Sequence, residues 1–319
     1  MSFPRKRESG SPIKAFGDDT LYQIASLTTF ARNDGENSMS LAFFLLSGVT
    51  AVYLAAFVFF LREFLSAETK STSWASRLIE LGFLIHTLLI FTQTFTLSDK
   101  LSSQFHLPVT TLGEASGFFA WSLAFVYLIL LRQLKMETFG LILTPALVLF
   151  LIPAFFPFQV NPASLIHFHD TYFLLHILSA FFSYASFALS FIAALLYLAL
   201  DRALKQKTSA SFYHKLLSLD DLEHFIFRTI FLGFFLLGIA ILSGAFWSKS
   251  AFGTFLLREP KSFASLLTWA VYLVIIYLHG ILMRKGRRMV LMSLGAFVLV
   301  LFTFLGTSIF QTGLHVGIR

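Results

Sequence analysis

Cysteine is absent from the 319 residues. A chain without thiols makes no disulfide, no thiolate metal site and no CxxC redox pair, and cannot attach a c-type haem to itself. Charge is also scarce. Asp, Glu, Lys and Arg make up 13% of the chain, against roughly 25% in an average soluble domain. Acids are the scarcer sign, 17 against 24 Lys and Arg, for a net charge of +7. That surplus would suit a nucleic-acid partner, but the cations come in short clusters between apolar stretches, the pattern of membrane loops. No nucleic-acid partner is expected. There is no internal repeat and no long low-complexity segment. What the chain has in excess is apolar: 56% hydrophobic residues, 41 of them Phe, and a mean hydropathy of +0.76. A soluble core of this size could not hide so much, so lipid is the solvent for much of it. The class is all-α, a polytopic integral membrane helix bundle surrounded by membrane lipids.

A helix needs about 20 mostly apolar residues to cross the hydrocarbon layer. Eight stretches qualify, at about 40–65, 74–97, 114–135, 138–157, 171–200, 224–247, 263–283 and 287–310. They are too long and too evenly apolar for the alternating strands of a membrane barrel. The fourth carries Pro145, Pro153 and Pro157, residues that kink or end helices. Lys and Arg favour the cytoplasmic side of such proteins. With the first span starting outside, the inner loops hold Arg62, Lys70, Arg77, Arg132, Lys135, Arg202, Lys205, Lys207, Lys215, Arg228, Arg284, Lys285, Arg287 and Arg288. The outer side keeps Lys100, Lys249, Arg258, Lys261 and Arg319. Fourteen against five predicts both termini on the outer side, in a multi-pass protein of a bacterial inner (cytoplasmic) membrane. Residues 1–38 break the pattern. They hold Arg5, Lys6, Arg7, Lys14 and Arg32 with no signal-peptide core behind them. The expectation is a disordered or over-extended segment at 1–38, and a membrane domain at 39–319 starting at Met39.

Without Cys, the site-forming residue left is His, of which there are nine. His86 and His279 fall inside spans two and seven. An ionisable group at membrane depth is a functional hypothesis by default, although a lone intramembrane imidazole serves equally well as a hydrogen-bonding neighbour of another helix. Counted from Arg77 and Arg284, both belong in the inner half of the bilayer, and they face one another if spans two and seven are neighbours. Two neutral imidazoles on either side of a macrocycle can hold haem iron. A second group gathers on the outer side: His106, His167 and His169, then His176 in the first turns of span five, and His315 beyond span eight. His214 and His224, beside Asp220 and Asp221, fit a solvated inner loop.

The stretch Ser243 to Trp269, SGAFWSKSAFGTFLLREPKSFASLLTW, reads as an outer loop. It sets Phe246, Trp247, Phe252, Phe255 and Trp269 around Gly253, Arg258, Glu259, Pro260 and Lys261. Interfacial aromatics are commonly membrane anchors. A flat aromatic surface beside cations also suits a large planar ligand with carboxylate tails.

In order along the chain, these features resemble the haem-handling cytochrome c assembly family, with its CcsA, CcmC and HemX relatives. The likeness runs from about His106 to the C-terminus and extends more weakly back through His86. It is carried by PVTTLGEASGFFAW (Pro108–Trp121), by His176 in LLHILSAFFSYASFALSF, by His279 in TWAVYLVIIYLH and by His315 in GLHVG. The loop departs from the family. Its tryptophan-rich signature ends in Trp-Asp-Pro-Lys-Glu-Thr, where this chain has FGTFLLREPKSF. Gly253, Pro260 and Lys261 remain, and Glu259 stands in place of Asp. A Trp N–H cannot be supplied by Phe.

The resemblance implies haem b as the cofactor, held by His86 and His279 in the inner half and by His176 and His315 outside. Trp247, Phe252, Phe255 and Trp269 would cover the macrocycle, with Glu114 as a hydrogen-bond partner of an external imidazole. It implies a role in handling haem for attachment to apocytochrome c. The partners would be other cytochrome c maturation membrane subunits, as part of a haem lyase or synthetase complex; the chain would not be an enzyme alone. The alternative is a HemX-like accessory or regulator of tetrapyrrole metabolism that transfers no haem.

Overall fold

The computed structural model describes residues 35–65, 74–100, 107–134, 139–156, 170–206, 218–255, 260–280 and 286–302. The chain divides into two compact units, Met1–Phe44 and Leu45–Arg319. Of the first, the described part is the opening turns of a helix; every contact below lies within the second. His106, His167, His169, His214 and His315 lie outside the described residues, as does the segment 1–34.

Eight α-helices are described, with no strand among them: α1 Gly35–Leu65, α2 Trp74–Lys100, α3 Leu112–Leu134, α4 Gly140–Leu151, α5 Thr171–Lys205, α6 Leu219–Phe252, α7 Pro260–Gly280 and α8 Arg287–Leu301. This is the expected all-helical membrane bundle. Six of them, α1, α2, α3, α5, α6 and α7, are long and apolar enough to cross a membrane. The fourth expected span falls short. After Leu151 the chain tightens into a 3-10 turn, Ile152–Phe155, with Pro153 in it, because Pro removes a helical N–H donor.

Sequence cues set the helix ends. Thr111 and Glu114 form a capping box at the start of α3. The Glu114 N–H donates to Thr111 Oγ1 (3.1 Å), while Glu114 Oε2 accepts from the Thr110 N–H (3.0 Å) and hydroxyl (2.7 Å) and from the Thr111 N–H (3.3 Å). Asp170 caps α5 by accepting from the Tyr172 N–H at 2.7 Å. Ser218 caps α6, whose first turn carries Asp220 and Asp221 at the positive end of the helix dipole. At its other end α6 stops at Gly253, in the left-handed conformation (φ 72°) that a residue without Cβ adopts freely.

These caps make α6 34 residues long, roughly 50 Å. That corrects the reading of Ser243–Trp269 as a loop. Ser243 to Phe252 are the last turns of α6, and Pro260 to Trp269 the first turns of α7.

Ring and hydrogen-bond pairs define the packing. The α5–α6 pair is antiparallel and the most extensive: His176 lies against Gly244, while Ser183 and Phe187 lie against Gly233. Gly233 and Gly244 are three helical turns apart on one face of α6, where missing side chains let α5 close in. Phe187 also stacks on Tyr272 of α7 (3.8 Å between centroids), and Phe191 on Phe297 of α8 (4.4 Å). On the other side of α5, Phe118, Trp121 and Phe125 of α3 meet Phe181 and Phe182. Trp121 also stacks on Phe83 of α2 and donates its Nε1–H to Thr87 at 2.9 Å. Thus α5 sits between α3 and the α6–α7–α8 group. One end of the bundle carries the start of α5, and the opposite, basic end carries Arg77, Lys205, Arg287 and the start of α6.

Candidate functional site

His176 sits one and a half turns into α5, and its ring is wedged against α6. Nδ1 is 2.7 Å from the main-chain oxygen of Ala240. A carbonyl only accepts, so Nδ1 carries the proton and Nε2 keeps its lone pair. Gly244, one turn on, makes room: a Cβ there would stand 2.7 Å from the same Nδ1. This is the tautomer in which histidine ligates metals, with Nδ1 tied to an oxygen acceptor. The half-buried ring lies next to an aromatic seam between the two helices. Phe173 meets Trp247 at 4.7 Å between centroids, and Tyr172 meets Phe246 at 5.6 Å.

Two turns of α6 and its cap complete this end. Lys249 stands over the ring of the exposed Phe255 at 5.0 Å, and Ser248 Oγ donates to the Thr254 carbonyl at 2.8 Å across the Gly253 turn. Lys249 is thus a cation over an aromatic ring at this end, a role the sequence reading gave to Arg258 and Lys261. Arg258 lies outside the described residues, as do the side chains of Lys261 and Phe252. Trp269 is set apart from the rest of the expected shelf. It lies between α6 and α7, stacked on Phe234 at 4.8 Å and packed over Gly238, with Nε1 buried and without a hydrogen-bond partner. Glu114 spends Oε2 on its capping box.

His279 closes α7 near the basic end and is 9% exposed. Its ring lies on Phe227 of α6 (4.3 Å between centroids). Its Nδ1 is 3.9 Å from Oε1 of Glu223, a carboxylate as deeply buried as itself. Oε2 of the same carboxylate accepts the Gly286 N–H at 2.8 Å, where α8 begins. Gly286 has a φ of 77°, which favours glycine there.

His86 is 1% exposed on α2. Tyr53 of α1 meets it edge-on at 6.2 Å, seated over Gly82, where a Cβ would come within 2.6 Å of the phenol ring. Both His86 Nδ1 and the Tyr53 hydroxyl are buried without a hydrogen-bond partner. The structure does not give His86 and His279 a common partner. His86 is level with Trp121 and Phe182. His279 is level with Phe227, six residues or roughly 9 Å of helical rise nearer the basic end than Gly233. Among the described residues no three His, Asp or Glu converge as ligands of a bare metal ion.

Residues 109–315 match the family described as cytochrome C assembly protein. The chain belongs to that family. Among its relatives, the cytochrome c biogenesis protein CcsA of Chlamydomonas reinhardtii is 30% identical over 219 residues, covering 66% of this chain and 60% of that protein. The protein of the same name from Guillardia theta is 26% identical over 260 residues, covering 74% of this chain and 84% of the relative. That from Prochlorococcus marinus is 25% identical over 253 residues, with 70% and 79% covered. The family segment opens at Val109, just ahead of α3, and ends at His315. His176, His279 and the α6–α7 aromatics therefore fall within it, whereas α1 and α2, with Tyr53 and His86, precede it.

Proposed function

We propose that this membrane protein acts in cytochrome c biogenesis by holding haem for attachment to apocytochrome c, with His176 as an iron ligand. The observation that carries this reading is the contact between His176 Nδ1 and the Ala240 carbonyl, which puts the ring proton on Nδ1 and fixes the imidazole beside an aromatic seam. Membership of the cytochrome c assembly family and the names of its relatives support the same role. Those names give no support to an accessory of tetrapyrrole metabolism.

When bound, haem would supply an iron that accepts nitrogen ligands and the side chains that become attached to a cytochrome. The chain's own residues bind and orient it. His176 offers Nε2, Gly244 and Ala240 fix the ring plane, and Phe173 and Trp247 present apolar faces that exclude water. Lys249, at the same end, is a cation that would suit the carboxylate tails of such a ligand. The second ligand at this end is assigned to His315, which closes the family segment. His279 is the ligand assigned to the basic end, and His86 is the intramembrane candidate ahead of the family segment. With no thiol of its own, the chain leaves bond formation to the apocytochrome and to partner membrane subunits. The Lys/Arg bias supports an orientation with the His176 end on the outer face of the membrane, which we propose to be a bacterial inner membrane.

Absorption spectroscopy of the detergent-purified protein tests this. The wild type should carry haem with a low-spin, two-nitrogen spectrum. His176→Ala should lose that component and the ability to support cytochrome c formation, and added imidazole should restore the spectrum. Unchanged haem content and cytochrome yield in His176→Ala would overturn the assignment.

A further inference from the structure

The basic end of α6 holds a group that the family likeness does not assign. Glu223 is buried in an apolar bundle, where an unpaired carboxylate is costly. Its two oxygens face two elements. Oε2 accepts the Gly286 N–H at 2.8 Å, and Oε1 stands 3.9 Å from His279 Nδ1. Both Oε1 and Nδ1 are buried and have no hydrogen-bond partner, so each faces an unpaired polar atom of the other. The imidazole face rests on Phe227, one turn along α6 from Glu223. At 3.9 Å the contact is longer than a hydrogen bond, but it is close enough to decide the tautomer. An acceptor oxygen facing Nδ1 favours a proton there, since two lone pairs would repel. The proton on Nδ1 leaves Nε2 free.

We infer that Glu223 is a positioning residue: it holds His279 in the Nδ1–H tautomer, with Nε2 presented to a ligand, while Gly286 anchors the carboxylate from its other side. The ligand part of this inference rests on the haem reading above; the tautomer part does not. In this role Glu223 acts through the imidazole.

The chemistry of the amide supplies the test. In Glu223→Gln the Gly286 N–H still needs an acceptor, so the amide oxygen takes the Oε2 position. The amide NH2 then replaces Oε1 and donates to Nδ1, which forces the proton to Nε2 and removes the lone pair that would bind a metal. In the full-length detergent-solubilised apoprotein, 15N NMR of labelled histidine should show His279 as Nδ1–H in the wild type and as Nε2–H in Glu223→Gln. The haem component that His279→Ala removes should bind more weakly in Glu223→Gln, by on the order of tenfold, the usual cost of losing a ligand's outer partner. Should the variant fail to fold, the wild-type tautomer alone decides: Nε2–H there overturns the inference whatever haem does. An unchanged tautomer in a folded Glu223→Gln also overturns it. If the tautomer exchanges as stated while His279→Ala leaves haem content untouched, the positioning role stands and the haem reading of this end falls.

Discussion

Helix α6 seats two imidazoles, and its two ends do so by different means. At one end a neutral main-chain carbonyl, that of Ala240, takes the Nδ1 proton of His176 at 2.7 Å, and a glycine leaves just enough room for the ring. At the other a carboxylate stands 3.9 Å from His279 Nδ1, and the ring rests on a phenylalanine. Ala240 and Glu223 are roughly 25 Å apart along the helix. The first seat is steric. Its acceptor belongs to the helix backbone, cannot be removed by substitution, and depends on Gly244 staying bare. The second is electrostatic. Its acceptor is a side chain that can rotate, neutralise or be replaced. On the reading proposed above Nδ1 is the nitrogen addressed in both cases, in one ring rigidly and in the other adjustably.

The largest effect should come from filling the steric seat. In Gly244→Ala the new Cβ meets His176 Nδ1 at 2.7 Å, and an imidazole wedged between two helices has no flexible end that can swing away. The ring has to leave Ala240. The variant should then match His176→Ala in its loss of haem absorption, and overpacking should lower its stability by about 1–3 kcal/mol. The His279 tautomer should be unaffected. Thermal unfolding and haem spectra in detergent check both parts. Wild-type haem absorption in Gly244→Ala would mean that the seat is not what holds the ligand.

A smaller effect is expected at the electrostatic seat from Phe227→Leu, which keeps bulk but removes the flat surface under His279. Losing an aromatic pair costs about 1 kcal/mol beyond area, which corresponds to a factor of about five in affinity. Titration with haem should show that modest weakening at the His279 component with the His176 component intact. A loss as large as that in His279→Ala would show that Phe227, and not Glu223, sets the ring.

The difference between the seats also explains what could be read in one dimension. The spans were legible because lipid demands long apolar runs, and Pro153 marked where the fourth would stop. The extra turns of α6 were less visible. Ser218 is the cap and Asp220 and Asp221 belong to the first turn, but hydropathy counts all three as loop, and Gly253 marks a C-cap that resembles any loop glycine. Trp269 misled because an aromatic beside a membrane loop and one in a helix seam look alike until Phe234 and Gly238 are brought beneath it. His176 and His279 stood out as unusual in their spans. Their seats did not, since Gly244 and Glu223 lie 68 and 56 residues from the rings they hold and only the antiparallel packing of α6 unites them.

The smallest expected effect decides whether the two seats are independent. Midway along α6, Ser183 of α5 donates its hydroxyl to the Gly233 carbonyl at 2.8 Å. That carbonyl faces the seam that continues to His176 in one direction and, through α6, toward Glu223 in the other. Ser183→Ala removes only the hydroxyl. The Gly233 carbonyl remains an acceptor for its own helix, so no polar group is stranded, and interhelical bonds of this kind average about 0.6 kcal/mol. Stability should fall by about that much, with the haem spectrum and the His279 tautomer unchanged, because neither Ser183 nor Gly233 touches either imidazole. Loss of haem from either end in Ser183→Ala would show that the α5–α6 seam transmits strain along its length, and the two seats would then have to be treated as one.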